Sequence, residues 1–475
     1  MSTRYAVTLS GTFNSRDLVY EFSLDQVPVT GSGGGPLGTA SVFSYLAEVP
    51  EEERTSRPVV FAFNGGPGIA SAFLHLSGIG PRQVAFSEAI QESITPPYRL
   101  EDSPHSVIDV ADLVFIDPVN TGYGRLEEAD TSEAYSVQGD ARYFADIVRR
   151  WVARNDRWDS PKYVLGESYG THRAPFLANA LMGGFSAVPL DGLILLGQAL
   201  NVQETADRPG NVTGALAGFP YKAATAWYHR RGTTGHDTVE EVVDAAVEFA
   251  FGPLAAALVQ GNRIPEEEGK EIANRLEAFT GIPADMYLRK RLWLSKGEFM
   301  RQLLGDRGQV LGRNDSRCVG AAADKTAAET DIDPAGDQYQ AAYTAGIARH
   351  LHGTLGVPVD EEYRMADLDA VRKWDWTDSA AARFHFTGQP SPFHVYPYPA
   401  QLTRYLKQQP HARLFIGTGL YDALTTVGAA EHLLRQYDVP LDRVTNRRYP
   451  AGHMMYTDER SAVQLNTHLR EFLVR

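Results

Sequence analysis

The chain has 475 residues, room for about three small domains or for one large α/β domain carrying an insertion. Apolar residues make up 43% and charged ones 22%, a balance that implies a large buried core and excludes a disordered, fibrous or coiled-coil chain. With 59 acidic against 45 basic residues the formal charge is -14, which repels a polyphosphate backbone and argues against nucleic acid as a partner.

The single cysteine, Cys318, excludes an intramolecular disulfide and a cysteine-based zinc cluster. The stretch from Met1 to Ser10 lacks the apolar core of a secretory signal, so a cytoplasmic location is expected. The longest apolar runs, 59–76 and 245–259, are interrupted by Asn64, Gly65, Gly66 and Pro67 and by Glu248, Gly252 and Pro253. Neither is expected to span a bilayer, and no membrane partner is expected.

In chain order, the first fifty residues alternate apolar and polar positions in short runs (Tyr5 to Leu9, Leu18 to Phe22, Ala40 to Leu46) around the glycine turn 31–35. They predict antiparallel edge strands. From residue 58 the runs become short and wholly apolar: Val59 to Phe63, Leu113 to Ile116, Tyr163 to Leu165 and Leu193 to Leu196. Such strands are buried on both faces, as in a parallel sheet. Between them, Tyr143 to Trp151 and Pro175 to Leu181 carry helical spacing, so the fold class reads as α/β.

After Asn201 the strands largely stop, and helical patterns follow at Val239 to Phe251, Glu266 to Phe279, Met286 to Leu304 and Tyr339 to Leu355. Ser295 and Glu298 have capping-box spacing. The stretch from Asp315 to Asp337 predicts a long surface loop. Strand and helix alternation returns at Arg413 to Ile416, Val427 to Tyr437, Arg447 to Tyr449 and Ala462 to Val474. The division is 1–200 for the first part of the core, 201–385 for an inserted helical cap, and 386–475 for the rest of the core.

Gly166-Glu167-Ser168-Tyr169-Gly170 lies between an apolar strand and a helix, the context of a nucleophile elbow in which a strained turn lifts the serine off the sheet. The bland alternative is a glycine-rich turn holding a satisfied serine. A serine hydroxyl needs a base, and that base needs a carboxylate. In α/β-hydrolases they follow the serine in the order acid, then histidine, each on a loop after a strand. Asp422, just past the strand ending at Ile416, and His453, in the loop 449–453, fit that order. His385, His394 and His411 remain weaker competitors. The segment Asn64-Gly65-Gly66-Pro67-Gly68 ends a strand with bare backbone whose N–H groups can face an oxyanion, or it is a tight turn and nothing more.

Together with Gly80-Pro81, the stretch from Asp112 to Tyr123, and Ala451-Gly452-His453, these segments resemble the serine carboxypeptidase family, in the family's order and from about residue 36 to the C-terminus. The resemblance implies an α/β-hydrolase fold with a helical cap. It implies Ser168 as nucleophile, His453 as general base and acid, and Asp422 as its orienting acid. It further implies an oxyanion hole from the N–H groups of Gly66 and Tyr169, and a site for the substrate's terminal carboxylate at Asn64, Gly65 and Glu167. No metal or other cofactor is implied.

A carboxylate facing a carboxylate repels unless one holds a proton, so Glu167 is expected to be protonated when substrate binds. Many eukaryotic members place a second glutamate where this chain has Gly78, so the shared-proton pair is lost and activity is expected to extend towards neutral pH. The chain also has Ile69-Ala70-Ser71 and Tyr123-Gly124 where relatives differ, and it lacks their disulfides, as a bacterial-type member would. The leading expectation is a carboxypeptidase acting on peptides or other acyl substrates with a free carboxylate. An acyltransferase on the same triad is the alternative, a relative with lyase activity is known, and an inactive peptide-binding protein is the outsider.

Overall fold

The computed structural model describes residues 4–86, 95–127, 133–322, 333–358, 360–377 and 398–474. Arg4–Phe13 (β1), Arg16–Thr30 (β2) and Pro36–Ala47 (β3) form an antiparallel meander, longer than the alternating runs suggest. Val59–Phe63 (β4) enters the centre of the sheet, and Arg82–Val84 (β5) with Leu100–Asp102 (β6) makes a small ribbon apart from it. Asp112–Asp117 (β7), Lys162–Glu167 (β8) and Gly192–Leu196 (β9) follow. Gln309–Leu311 (β10) and Val319–Ala321 (β11) form a second ribbon, and Arg413–Gly419 (β12) and Val444–Tyr449 (β13) complete the main sheet.

The nine-stranded sheet has the order β1-β2-β3-β7-β4-β8-β9-β12-β13. β3 meets β7 antiparallel, and from β7 to β13 every pairing is parallel. Every residue of β4, β7, β8 and β9 is buried, as their unbroken apolar runs require, whereas β1 alternates along its length at the sheet edge. One face of the sheet is covered by the helices Val137–Arg154, Gly170–Leu181 and Tyr398–Gln408. Pro334–Ala348 and Glu459–Leu473 cover the other. Because parallel strands end together, the loops after β4, β8, β12 and β13 share one edge.

The insertion has its own core, with Phe219, Phe249, Phe279, Leu276 and Phe299 packed among the helices of 212–302. Ser295 and Glu298 form the capping box that their spacing predicts. In three places the structure departs from the sequence reading. Residues 334–357 do not stay with the cap: Tyr339, Tyr343, Ile347 and Leu351 pack into the sheet's second core. The expected surface loop 315–337 is not one in its described parts, since Asp315, Ser316, Arg317 and Cys318 are buried and a helix begins at Pro334, while 323–332 lie outside the described residues. The expected return to the core at 386 also lies outside them, as do His385 and His394.

The third departure concerns the run 245–259, expected to be broken at Gly252 and Pro253. The helix continues from Val239 to Arg263 through a π turn at Ala250–Leu254, the local widening by which a helix accommodates a proline. It is long enough to cross a membrane and its most apolar stretch of 18 residues has a mean hydropathy of 1.8. Its apolar face, Val242, Ala246, Phe249, Ala250 and Leu254, fills the cap's core.

Burial also sets how the fold tolerates acid. Tyr45 Oη joins His75 Nε2 and His350 Nε2, each at 2.7 Å, and His172 is enclosed by the rings of Tyr169, Trp376 and Tyr398. Desolvation pushes His75 and His172 down to about 3, and His350 falls in the same direction. These imidazoles stay neutral in the folded chain, while the unfolded chain takes up protons below about 6.5. The stability they contribute is whole above that value and is lost as pH falls from it towards 3. We predict that between pH 6.5 and 4.5 His75 and His172 together remove about 5 kcal/mol of unfolding free energy. Denaturant titrations at the two pH values check this, and equal midpoints would refute it.

Candidate active site

β8 runs into the elbow at Ser168, whose φ is 57°, and the helix Gly170–Leu181 leaves it with Tyr169 at its N-cap. The turn closes because its neighbours have no side chains. A Cβ on Gly166 would lie 2.2 Å from the carbonyl oxygen of Gly170, and one on Gly65 would lie 2.5 Å from the Tyr169 nitrogen. Ser168 N–H donates to the Leu196 carbonyl at 3.0 Å, which ties the elbow to the end of β9. Ser168 itself is half-buried.

Asp422 and His453 come from the loops after β12 and β13. Asp422 Oδ2 accepts from His453 Nδ1 at 2.7 Å, while Oδ1 accepts from the N–H groups of Leu424 at 2.7 Å and Thr425 at 3.1 Å. The Thr425 hydroxyl donates to Asp422 Oδ2 and lies 3.2 Å from His453 Nδ1. The two loops are laced together by Leu420 N–H to Tyr449 O and Tyr421 N–H to Ala451 O. Burial opposes charge on this pair, yet each partner favours the other's charged form. Asp422 is held below the usual carboxylate range, and the Asp422 and Glu167 carboxylates hold the imidazole up at about 9.

Asn64, Gly65, Gly66, Glu167, Ser168 and His453 line one cavity of about 360 Å³. Asn64 Nδ2 donates to Glu167 Oε1 at 2.9 Å, and its Oδ1 accepts from Leu74 N–H at 3.1 Å. Burial pushes Glu167 up to about 7, against the pull of His453, Tyr456 and Asn64. Among the described residues, the N–H groups of Gly66 and Tyr169 donate to no protein oxygen. The expected site residues are thus brought to one place. Of the three competing imidazoles His411 alone is described, and it is exposed; His75, His172 and His350 sit elsewhere in buried clusters without a carboxylate partner among the described residues. Among the described residues no group of three or more His, Cys, Asp or Glu side chains is arranged to hold a metal ion.

Several supporting residues carried no signal in the sequence. Arg173 and Asp140 are wholly buried and paired at 2.7 Å beneath the elbow. The guanidinium also donates to the Asn64 carbonyl at 3.0 Å and lies over the rings of Phe144, Phe63 and Tyr169, at 4.2, 4.9 and 5.3 Å from their centres. Asp117 accepts from Ser71 N–H and from Tyr363 Oη, so it pins the chain just after the glycine segment. Arg317 pairs with Asp315 and donates to the Pro450 carbonyl, and Asn314 O accepts from His453 N–H at 2.6 Å. Asn314 and the start of the segment whose composition predicts a surface loop therefore support the histidine.

Residues 37–206 match the sequence profile of the family described as serine carboxypeptidase. Serine carboxypeptidase-like 33 of Arabidopsis thaliana is 28% identical over 161 residues, 33% of this chain and 32% of that protein. The pheromone-processing carboxypeptidase KEX1 of Fusarium vanettenii is 29% identical over 144 residues, 28% of this chain and 20% of that protein. The match thus spans a third or less of these curated relatives. A solved structure of KEX1(DELTA)P, a prohormone-processing carboxypeptidase from Saccharomyces cerevisiae, superposes with a TM-score of 0.56 at 14% identity, covering 96% of this chain and 91% of that one. The fold is that of an α/β-hydrolase, and the resemblance in the motifs is to the serine carboxypeptidase family, carried by residues 37–206.

The buried pair beneath the elbow yields a measurable expectation. Arg173→Met leaves the buried Asp140 without its cation, with the Tyr169 hydroxyl still donating to it, and Asp140→Asn strands the guanidinium. Each is expected to cost about 3–5 kcal/mol of stability. The double variant should recover part of that loss in urea unfolding, and a double loss equal to the sum of the singles would show that the two charges do not depend on each other.

Proposed function

We propose that this chain is a serine carboxypeptidase that removes the C-terminal residue of a peptide through an acyl-enzyme. The observation that carries the reading is the His453–Asp422 hydrogen bond of 2.7 Å on the wall of the cavity that also holds Ser168, Asn64 and Glu167. With Asp422 on Nδ1, the imidazole presents Nε2 to take the Ser168 proton as its oxygen attacks the scissile carbonyl. The N–H groups of Gly66 and Tyr169 receive the oxyanion, assisted by the helix that starts at Gly170. His453 returns the proton to the departing amine, and water then releases the acyl group.

Selectivity for the last residue rests on Asn64, Gly65 and Glu167. A protonated Glu167 and the Asn64 amide can receive a terminal carboxylate, which fixes the bond that lies over Ser168. The buried Glu167–Asn64 hydrogen bond supports this assignment, as does the neutral form that burial favours in Glu167. A reducing, cytoplasmic setting belongs to the same reading, since the one cysteine is buried and the fold uses no disulfide.

The pH profile follows from the two protons. Productive binding needs Glu167 protonated and His453 neutral, and the pair titrates together. Below about 7 the site holds both protons and the base is lost. Above about 9 it holds neither, and two carboxylates face each other. We predict a bell-shaped kcat/KM with its maximum between these values, and a maximum in the acid range, below about 5, would falsify the scheme.

Ser168 should react with a fluorophosphonate, and Ser168→Ala should not. A blocked dipeptide should be turned over as the free acid, while its C-terminal amide loses about a hundredfold in kcat/KM, mostly through KM. Equal rates on acid and amide would defeat the carboxylate assignment. Product analysis with an added amine separates hydrolysis from acyl transfer, and an aminolysis product dominating at low amine concentration favours the transferase.

A further inference from the structure

The carboxylate site is short of hydrogen bonds. Glu167 Oε1 receives Asn64, but Oε2 is buried and, among the described residues, makes no hydrogen bond. Two phenols close on it. Tyr456, three residues past His453 on the turn Met455–Thr457, faces Glu167 and Asn64, and Tyr343, on the helix Pro334–Ala348, faces Ser77 and Glu167. Both rings are buried, at 2% and 0% exposure, and neither hydroxyl completes a hydrogen bond of ordinary geometry. Three unsatisfied polar atoms around one buried carboxyl are costly unless they serve one another or a ligand.

Position 78 can supply nothing in their place. A Cβ on Gly78 would lie 2.7 Å from Leu74 Cα and 2.8 Å from the Leu74 carbonyl oxygen. Among the described residues, the other polar and charged groups facing Glu167 are Asn64, His453 and Asp422. Asn64 is spent on Oε1 and Leu74, and His453 and Asp422 on each other. That leaves the phenols for Oε2. Tyr456 borders a different cavity from the one that holds Ser168, so it stands behind Glu167 and acts through it.

Resting on the carboxypeptidase reading, we propose that Tyr456 is a positioning residue whose hydroxyl donates to Glu167 Oε2, with Tyr343 as the second phenol beside it, and so holds the carboxyl in place for the terminal carboxylate of the substrate. A donor on Oε2 favours the charged form of Glu167. Its removal lets Glu167 keep its proton to higher pH and frees the carboxyl to turn. A structural role alone does not produce that combination.

The test is Tyr456→Phe, assayed on a blocked dipeptide acid and on the p-nitrophenyl ester of a blocked amino acid, which reports on the triad without the carboxylate site. The alkaline limb of kcat/KM on the dipeptide should move up by about one pH unit. At pH 7 its KM should rise about fivefold with kcat within about twofold, and ester turnover should stay within about twofold. A limb that stays or moves down, or peptide and ester activities that fall by one common factor, overturns the proposal.

If Tyr456→Phe does not fold, 3-fluorotyrosine at 456 decides. A more acidic phenol is a stronger donor and should move the limb down, and a limb unmoved or raised refutes the role. Glu167→Gln on the same dipeptide separates the two layers of argument. Wild-type rate and limb in that variant overturn the carboxylate reading and this inference with it, whereas loss of the limb there and its persistence in Tyr456→Phe sinks only the role of Tyr456.

Discussion

The site depends on a backbone constraint at Ser168. Its φ of 57° is a region that residues with a Cβ avoid, and it persists because the chain around it leaves no other way through. Gly166, Gly170 and Gly65 allow three stretches of backbone to approach within the space of a methyl group, so the end of β4, the end of β8 and the start of the next helix become one unit. The arrangement of Ser168 over the sheet, of Tyr169 N–H beside Gly65, and of Glu167 against Asn64 follows from that approach. A side chain at Gly166 or Gly65 separates these elements, and with them Ser168 from its surroundings.

A constraint of this kind needs support from beneath, and buried arginines supply it. Arg173 ties Asp140 on the preceding helix to the Asn64 carbonyl, Arg317 ties Asp315 to the loop carrying His453, and at the opposite edge of the sheet Arg57 and Arg157 share Asp112. Burying such charges is expensive, and apolar replacements can be as stable. What an arginine adds is direction, because its planar donors reach a carboxylate and one or more backbone carbonyls at fixed angles. With a single cysteine in the chain, these contacts do the work of covalent ties: they select one conformation for loops whose backbone would otherwise have several.

The same burial that orders the site governs its protons. Glu167 and His453 lie close enough for each to move the other, so their proton belongs to the pair. Asp422 takes no part in that exchange, because four hydrogen bonds to its oxygens, from His453, Thr425 N–H, the Thr425 hydroxyl and Leu424 N–H, keep it charged despite burial. Desolvation lifts one carboxyl to about 7 while donors keep the other ionised, and the division between them comes from environment alone.

How much of this was legible in the sequence depended on whether the cause was local. The elbow, the glycine segment and the parallel strands are written in contiguous residues, and the order of Asp422 and His453 follows from strand ends, so they could be read without coordinates. Arg173 could not: it stands in its helix as Arg149 and Arg154 stand in theirs, and only the docking of one helix on another makes it a buried ion instead of a solvated one. The stretch 315–318 misled because Asp, Ser and Arg usually mean a loop in water, whereas here the loop of His453 covers them. Pro253 misled because a proline is usually a helix end, and the cap's apolar core was strong enough to carry the helix past it. Tertiary packing decided each of these cases, and packing depends on pairs of residues far apart in sequence, which composition and periodicity do not record.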